Sequence, residues 1–394
     1  MRDAVIVEAV RTPVGKRRGA LSGIHPVDLS AHVLGAIAER TGLEPATVDD
    51  VVWGCVSQIG EQASNVGRSA VLAAGWPEEV PAVTVDRACG SSQQAVHFAA
   101  GLVVAGQYDV VVAGGVESMS RVPIGSARNA TGVGRPFGPK VLERYGVEEF
   151  NQGRGAEMIA ERYGLTRGEL DQLALDSHER AARAIDEGRF DAQITPVEVE
   201  DAEGGKRLFT TDEGVRRGTT AEALAGLKTP FKDDGVISAG NSSQISDGAA
   251  ALLITTSEIA KARGWRPLAR VHTAVLAGAD PVTMALGPIP ATAKALKKSG
   301  LSIDDIGAFE INEAFAPVPA AWLKETGADY QRMNPNGGAM AIGHPLGCSG
   351  ARLMTTLVHH MRDNNIRYGL QAMCEAGGLA NATILELPAR SGTQ

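Results

Sequence analysis

The stretch Val83–Val96 (VTVDRACGSSQQAV) places a cysteine where a short strand meets a helix. Its first residues are β-branched, which favours a strand, and the small residues after Cys89 open a segment typical of a helix. Backbone N–H groups and the positive end of a helix at such a junction favour the thiolate form of cysteine. A buried, unreactive thiol is the alternative, because free cysteines are among the most buried residues of proteins.

The elements around Cys89 recur in the second half of the chain. A segment with two aspartates (Gly42–Gly54, GLEPATVDDVVWG) precedes Cys89, and an apolar segment with two glycines (Asp109–Ser120) follows it. Ordered matches at nearly equal separations indicate a duplicated βαβ-type unit, and therefore an α/β fold. The corresponding segments of the second half are Gly300–Glu313, Cys348 with the helix that it opens, and Tyr368–Glu386.

A segment of different composition separates the two halves. It is rich in Arg, Glu, Asp and Gly, and its runs 153–164 and 167–188 have apolar residues at helical spacing. The charged run 198–218 is typical of a hairpin or an exposed loop, and the apolar run 249–255 predicts a return to a buried strand. We predict an N-terminal half from residues 1–120 and 240–268, an inserted loop domain from 121–239 and a C-terminal half from 269–394.

The composition is that of a globular enzyme with two or three domains. The chain has 394 residues, of which 44% are hydrophobic and 21% charged. A net charge of −8 without a long Lys/Arg run argues against a nucleic-acid partner. No apolar run is long enough to predict a signal peptide or a membrane span.

The four cysteines predict neither a disulfide framework nor a zinc site. None forms a C-x-x-C pair, and the chain is long for so few cysteines. We therefore expect reduced thiols, a cytoplasmic location and no bound metal. The cysteines are Cys55, Cys89, Cys348 and Cys374.

Three further stretches carry groups with chemical potential: Asn312–Pro317 (NEAFAP), Gly337–Gly350 (GGAMAIGHPLGCSG) and Met373–Gly378 (MCEAGG). A catalytic cysteine needs a base to form thiolate and an oxyanion hole for the carbonyl that it attacks. His344, in the glycine-rich stretch, is a candidate for either base or hydrogen-bond donor.

Each of the other candidates also has a structural interpretation. Asn312 follows an apolar strand at the end where α/β sites gather, or it caps its own loop. Cys374 ends an apolar segment, either as a core residue or as a second reactive thiol. Cys348 opens the second-half helix as Cys89 opens the first, and duplication alone explains it, so we interpret it as structural.

The motifs RACGSSQQA, NEAFA, GGAMAIGHPLGCSGAR and MCEAGG, in this order and spacing, resemble those of the thiolases, which are acetyl-CoA C-acetyltransferases and 3-ketoacyl-CoA thiolases. The resemblance extends through essentially the whole chain, from VRTPVGKRRGAL (10–21) to ATILEL (382–387). It implies a duplicated thiolase-like fold, in which two βαβ-type halves with five-stranded mixed sheets pack in αβαβα layers beside the inserted loop domain. It also implies a homodimer or homotetramer.

The same resemblance implies roles for individual residues. Cys89 resembles the acylated nucleophile, and His344 the histidine that supports it and polarises the thioester. Cys374 resembles the thiol that acts as general acid and base. Asn312 resembles the residue that holds the water of one oxyanion hole, and the backbone N–H groups of Cys89 and Ala376 correspond to the other.

Coenzyme A is the implied substrate, with no permanently bound cofactor. Because it is anionic, an acidic protein needs local cations to bind it, and VRRGTT (215–220) supplies two arginines. By resemblance, Arg216 lies near the nucleotide and Ser243 contacts the pantetheine, while Gln152 and Met284 lie near the thioester or pantetheine. A solvated charge is the alternative for Arg216.

The chain departs from the usual family tail, Cys-x-Gly-Gly-Gly-x-Gly, in having CEAGGLA at 374–380. Ala376 still offers its N–H to an oxyanion hole if its φ is negative. Glu375 either raises the pKa of the neighbouring thiol or points into solvent, where screening removes its effect. Ser92 replaces a commoner glycine in the nucleophile motif.

Three other functions are alternatives to that of a thiolase. A ketoacyl synthase has a similar duplicated fold, but it pairs its cysteine with two histidines or with His and Asn, and Cys374 argues against it. A non-catalytic acyl-CoA-binding relative predicts loss of Cys89 or His344, and both are present. A cysteine hydrolase is disfavoured because no third group that orients His344 is evident. We expect reversible thiolysis of a 3-ketoacyl-CoA to acetyl-CoA or propionyl-CoA and a shortened acyl-CoA.

Overall fold

The structure is a computed structural model that describes residues 2–201 and 204–388. The ends of the two predicted halves (residue 1 and residues 389–394) and residues 202–203 of the predicted insert lie outside the described residues. The strands are β1 Val5–Arg11, β2 Gly15–Lys16, β3 Asp50–Gly54, β4 Ala82–Val85, β5 Val110–Ser118, β6 Val197–Glu200, β7 Lys206–Phe209, β8 Ser246–Thr255, β9 Ala269–Gly278, β10 Ala308–Ile311, β11 Tyr368–Glu375 and β12 Leu379–Glu386.

Eleven α-helices accompany these strands in the described part of the chain. The residues at the ends of α1 explain where this helix begins and ends. Proline is favoured at the first position of a helix, where Pro26 lies, and the helix ends at Gly42, whose φ of 63° is one that glycine adopts freely. They are α1 Pro26–Thr41, α2 Val66–Ala73, α3 Ser91–Ala105, α4 Pro139–Tyr145, α5 Gln152–Arg162, α6 Arg167–Asp186, α7 Ala221–Ala225, α8 Ser257–Ala262, α9 Pro288–Ser299, α10 Pro317–Thr326 and α11 Leu346–Asp363.

The large sheet has two halves with the same topology. Its order is β10-β11-β12-β9-β1-β8-β5-β3-β4, with β2 paired to β8. In the first half β3 runs parallel to β5, which is antiparallel to β8, and in the second β10 runs parallel to β11, which is antiparallel to β12. Helices α3 and α11 precede β5 and β11 respectively. The predicted duplication of a βαβ-type unit is therefore confirmed.

The prediction of a five-stranded sheet in each half is correct only for the first half. In the described part of the second half there are four strands, and an isolated parallel bridge from Met333 to Phe309 stands where a fifth would lie. A strand cannot continue from this bridge because Pro335 has no N–H and Gly337 has a φ of 77°. The two halves also form one continuous sheet, since Val5 and Ile6 of β1 pair with β9.

The layers follow the αβαβα order. One apolar core lies between α1, α2 and the first half-sheet, and another lies between α9, α10 and the second. A central core contains buried residues of α3 and α11 together with residues of both half-sheets, among them Val111 and Leu385. The helices that follow Cys89 and His344 thus lie side by side in the middle layer.

Close backbone contacts bring these two helix starts together. A Cβ on Gly115 of β5 would lie 2.2 Å from the carbonyl oxygen of Gly347, and one on Gly54 of β3 would lie 2.8 Å from the same atom. Real side chains do not tolerate such distances, so glycine at both positions lets α11 begin directly on the first half-sheet.

The segment 121–239 contributes no described strand to the large sheet. The predicted helices are present as α5 and α6, the predicted hairpin as β6–β7, and the run 249–255 lies in the buried strand β8. A buried ion pair ties the segment to β1: Arg11 Nη1 and Nη2 donate to the Asp212 carboxylate at 2.7 and 2.9 Å. None of the described helices has the length and apolar character needed to cross a membrane.

Candidate active site

Cys89 lies in the turn between β4 and α3, as its sequence predicts. The turn is tight: Ala88 has a φ of 46°, and its N–H donates to Asp86 Oδ1 at 2.7 Å. Ser91 Oγ accepts from the N–H of Arg87 at 2.9 Å. Because side chains rarely adopt a positive φ, these hydrogen bonds hold a strained turn that fixes the position of the thiol.

Burial opposes the expectation that this junction favours thiolate. Cys89 is buried, and burial raises its pKa well above the ordinary value of a thiol. Negative charge on Cys374 and on Glu375 raises the pKa further, while the N–H of Cys89 itself opposes the shift. Desolvation therefore outweighs the helix end, and the resting nucleophile is a neutral thiol.

His344 is oriented by a neighbour that its sequence did not reveal. Its Nδ1 lies 2.6 Å from Ser349 Oγ, and that hydroxyl also donates to the carbonyl oxygen of Pro345 at 2.8 Å. Burial and the charge of Arg352 lower the pKa of His344 to about 3, so the ring is neutral. Its Nε2 is buried without a hydrogen-bond partner among the described residues.

The backbone around His344 is fixed by two other buried groups. Its N–H donates to the Gln244 carbonyl oxygen at 3.1 Å. The carboxylate of Glu117, in β5, accepts from the N–H groups of Gly347 at 2.9 Å, Val56 at 2.9 Å and Ser57 at 3.0 Å. One glutamate thus joins the start of α11 to the segment after β3.

Asn312 and Cys374 come together across two neighbouring parallel strands. Asn312 Nδ2 lies 3.6 Å from Cys374 Sγ, a distance suited to a weak hydrogen bond to sulfur. Burial raises the pKa of Cys374 to about 11, and the Asn312 amide lowers it in part. Asn312 Oδ1 is buried and unpaired among the described residues, so it remains available to a further donor.

Cys89 and Cys374 belong to one site. The charge of Cys374 acts directly on the ionisation of Cys89. Cys89 also packs in a small apolar cluster with Leu346, two residues after His344, and Met373, the residue before Cys374. The structure therefore brings together the loops that carry the four predicted catalytic residues.

The turn after β11 bears on the two expectations for Ala376 and Glu375. The φ of Ala376 is not positive, so this residue meets the condition for offering its N–H to an oxyanion hole. The next two residues, Gly377 and Gly378, have positive φ values of 86° and 74°. Glu375 does not point into solvent: it is buried, with only 2% of its surface exposed. The solvent-screened interpretation of its charge is therefore wrong.

The residues predicted to bind coenzyme A lie on three loops and at the start of α5. Arg216 is exposed, and its N–H donates to His178 Nδ1 at 3.1 Å, whereas neighbouring Arg217 pairs with Asp186. Gln244 joins the loop that carries Arg216 to the His344 stretch, because its Nε2 donates to the carbonyl oxygens of Gly214 at 2.9 Å and Met340 at 2.8 Å.

The other three residues predicted to contact coenzyme A lie on different segments of the chain. The N–H of Ser243 donates to the carbonyl oxygen of Ala314, in the NEAFAP stretch, at 2.9 Å. Gln152 is the first residue of α5, and buried Met284 lies in a loop that packs against that helix near Gly155. The described residues contain no group of three or more His, Cys, Asp or Glu suited to a metal ion.

Sequence reasoning missed two positioning residues. Ser349 lies five residues after His344, so no helical or strand spacing links them in the sequence. Glu117 does carry a signal: it is a carboxylate at the end of the apolar run VVVAGGVES, where burial requires compensating donors.

Two buried thiols and a neutral imidazole supply the nucleophile and the base that covalent catalysis by cysteine requires. The family models of the thiolase N-terminal and C-terminal domains match residues 4–258 and 265–387. The chain belongs to the thiolase family.

Individual relatives agree over nearly their whole length. The steroid 3-ketoacyl-CoA thiolase FadA6 of Mycobacterium tuberculosis is 52% identical, over 98% of this chain and 94% of the relative. A 3-ketoacyl-CoA thiolase of Bacillus subtilis is 41% identical, over 98% and 100%. The crystal structure of the Bacillus anthracis acetyl-CoA acetyltransferase superposes with a TM-score of 0.90 at 39% identity, covering 98% of this chain and 99% of that one.

Proposed function

We propose that this thiolase cleaves a 3-ketoacyl-CoA with coenzyme A, and runs the reverse condensation, through an acyl-enzyme on Cys89. The assignment of roles is supported by two buried thiols whose ionisation is coupled, Cys89 and Cys374, and by a neutral His344 whose Nε2 has no partner among the described residues. A neutral thiol needs a base before it can attack, and a neutral imidazole is one.

In the first half-reaction, His344 Nε2 takes the proton of Cys89 as the sulfur attacks the 3-keto carbon. The bond between C2 and C3 then breaks, and its electron pair forms the enolate of acetyl-CoA. Cys374 gives this enolate a proton and becomes thiolate, which the Asn312 amide stabilises from 3.6 Å. Oxyanion stabilisation comes from the N–H groups of Cys89 and Ala376, and from a water held by Asn312.

In the second half-reaction, Cys374 thiolate takes the proton of coenzyme A, whose sulfur attacks the acyl group on Cys89. The tetrahedral intermediate collapses, the shortened acyl-CoA leaves, and Cys89 recovers the proton from His344. Every proton returns to its starting group, so the cycle needs no metal and no redox partner. Arg216 serves the nucleotide of coenzyme A, and Ser243, Gln152 and Met284 serve the pantetheine and thioester.

We further propose that the acyl group is bulky and derived from a ring system. The support is the 52% identity to a relative named a steroid 3-ketoacyl-CoA thiolase, against 41–43% to relatives named simply 3-ketoacyl-CoA thiolases. The protein acts in the cytoplasm as a homodimer or homotetramer, with the domain division at residues 120, 239 and 268 that its sequence predicts.

The test is turnover on a panel of short, long and ring-bearing 3-ketoacyl-CoAs, with products separated by liquid chromatography and mass spectrometry. The proposal requires acetyl-CoA or propionyl-CoA together with a shortened acyl-CoA, and the highest kcat/KM on a ring-bearing substrate. Release of a free acid would indicate hydrolysis and contradict thiolysis. A preference for unbranched chains would contradict only the substrate class.

A further inference from the structure

Glu375 is the most unusual group next to the catalytic centre. It directly follows Cys374 at the end of β11, and its side chain is buried. Neither carboxylate oxygen has a side-chain hydrogen-bond partner among the described residues, while the backbone N–H of Asn381 and the charge of Arg87 favour the ionised form. A buried, ionised carboxylate with so few donors is disfavoured, so this position calls for a compensating interaction.

The carboxylate reaches across to the turn that carries the nucleophile. A Cβ on Gly90, the residue after Cys89, would lie 1.9 Å from Glu375 Oε1 and 2.1 Å from Asn381 Oδ1. Both oxygens therefore lie near the same point, no more than about 4 Å apart. Asn381 Nδ2 is engaged with Gln94 Oε1 at 3.2 Å, and Asn381 Oδ1 is unpaired among the described residues.

Two oxygens that face each other without a hydrogen between them repel. A proton on Glu375 changes this contact into an O–H donor and an amide acceptor. Burial favours that proton and raises the pKa of Glu375 to about 8, against the opposing charge of Arg87. At neutral pH the neutral acid is accordingly the main form.

The charged groups around Glu375 come from every element that packs against it. The β4–α3 turn contributes Asp86, Arg87 and Cys89, and β11 contributes Cys374. From α3, His97 is neutral because burial and Arg87 lower its pKa to about 3. Arg87 is thus the cation that favours ionised Glu375, while Asp86 and both thiolates oppose it.

We propose that Glu375 is a positioning residue that works as a buried carboxylic acid. When it is protonated, it donates a hydrogen bond to Asn381 Oδ1 and supports the turn that carries Cys89. When it is ionised, its charge opposes thiolate formation at Cys89 and Cys374. The proposal rests on the proposed function for its catalytic consequence, but not for the ionisation of Cys89. It assigns a weakened alkaline rise in nucleophile reactivity to one residue outside the reacting groups.

The sign of the effect follows from the order of ionisation. Below the pKa of Glu375, which is about 8, the side chain is neutral and adds no charge beside the thiols. Above it, a carboxylate raises the pKa of Cys89 and of Cys374. The fraction of reactive thiolate in the wild type therefore rises less steeply with pH than in a protein whose residue 375 stays neutral.

The experiment compares wild type with Glu375→Gln, whose amide also donates to Asn381 Oδ1. The rate of Cys89 alkylation by iodoacetamide is followed by peptide mass mapping from about pH 6.5 to about pH 9.5. This readout needs no turnover, so it remains valid even if the proposed function fails. We expect the ratio of variant to wild-type rate to increase about 3- to 10-fold across this range.

Glu310→Gln is the matched control. Glu310 is also buried and has no hydrogen-bond partner among the described residues, and burial raises its pKa to about 8 against the charge of Arg352. Its charge is not among those that shift the pKa of Cys89 or of Cys374. Its rate ratio to wild type should stay constant with pH. A constant ratio for Glu375→Gln as well would overturn the proposal.

A second variant keeps the proposal testable if Glu375→Gln does not fold. Asn381→Leu removes the acceptor of the acid's hydrogen bond, so Glu375 should ionise at lower pH, and the flattening of the wild-type rise in alkylation rate should begin at lower pH. A flattening that begins at the same pH, or at higher pH, would show that Asn381 does not hold the proton and would overturn the proposed contact.

Discussion

His344 and Ser349 form a hydrogen bond that fixes which ring nitrogen is free. Nδ1 lies 2.6 Å from Ser349 Oγ, and that hydroxyl lies 2.8 Å from the Pro345 carbonyl oxygen, which can only accept. We assign the hydroxyl hydrogen to that carbonyl oxygen, so that the hydroxyl accepts from the imidazole and Nδ1 carries the ring hydrogen. Nε2 is left with a lone pair, as a base for Cys89 requires.

Replacing Ser349 with alanine should slow acylation of Cys89 by about 10-fold, which corresponds to the loss of one hydrogen bond of about 1.4 kcal/mol. The imidazole would lose the contact that selects its tautomer, while the thiols stay in place. Single-turnover kinetics with acetyl-CoA measure this step directly.

Thr355→Val is the control for that change. Thr355 is another fully buried hydroxyl of α11, and its Oγ1 has no partner among the described residues. Valine keeps its shape, so acylation should proceed at the wild-type rate. Equal slowing of both variants would mean that α11 packing, and not the tautomer of His344, sets the rate.

Cys374→Ser should separate the two half-reactions. Acylation of Cys89 by acetyl-CoA should persist, while thiolysis and condensation should fall by about 10²- to 10⁴-fold, because a hydroxyl does not exchange protons near neutral pH. Steady-state turnover and acyl-enzyme formation are measured on the same sample. The control is Cys348→Ser, at the start of the equivalent helix of the second half, which should retain turnover. If turnover of Cys374→Ser stays within a few-fold of the wild-type rate, another residue acts as the acid and base.

Asp212→Asn should destabilise the protein markedly. Arg11 and Asp212 have fully buried side chains, and Asp212 also accepts from the N–H of Val14 at 2.8 Å. Removing one charge leaves the other buried and uncompensated, at a cost of about 3–5 kcal/mol. Urea unfolding of this variant is compared with that of Asp186→Asn, which breaks an exposed pair with Arg217. Similar midpoints for the two variants would argue against a structural role for the buried pair.

The sequence predicted those features that depend on local order. A strand, a cysteine and a helix follow one another around Cys89, and their repetition identified both halves of the sheet. The sequence repeat did not predict the absence of a fifth strand in the described part of the second half. The repeated motif is present at Asp304 and Asp305, but Pro335 and Gly337 prevent a strand from forming later in the chain. A repeat of elements does not show at which backbone position the hydrogen bonding of a strand ends.

The ionisation of the site could not be predicted in the same way. The helix end at Cys89 is a local feature, but the burial that raises its pKa comes from residues such as Leu346 and Met373, far away in the sequence. Alternation along β11 correctly suggests that Glu375 and Cys374 point to different faces. It does not reveal that the second face is covered by the Gly90 turn.

The central claim is an acyl-enzyme on Cys89, and intact-mass spectrometry after mixing with acetyl-CoA tests it most directly. The wild type should gain the mass of one acetyl group, which peptide mapping should place on Cys89. Cys89→Ala should remain folded by circular dichroism and gain no such mass. An acetyl adduct that persists on the folded Cys89→Ala protein, or one that maps to Cys374 in the wild type, would contradict the account.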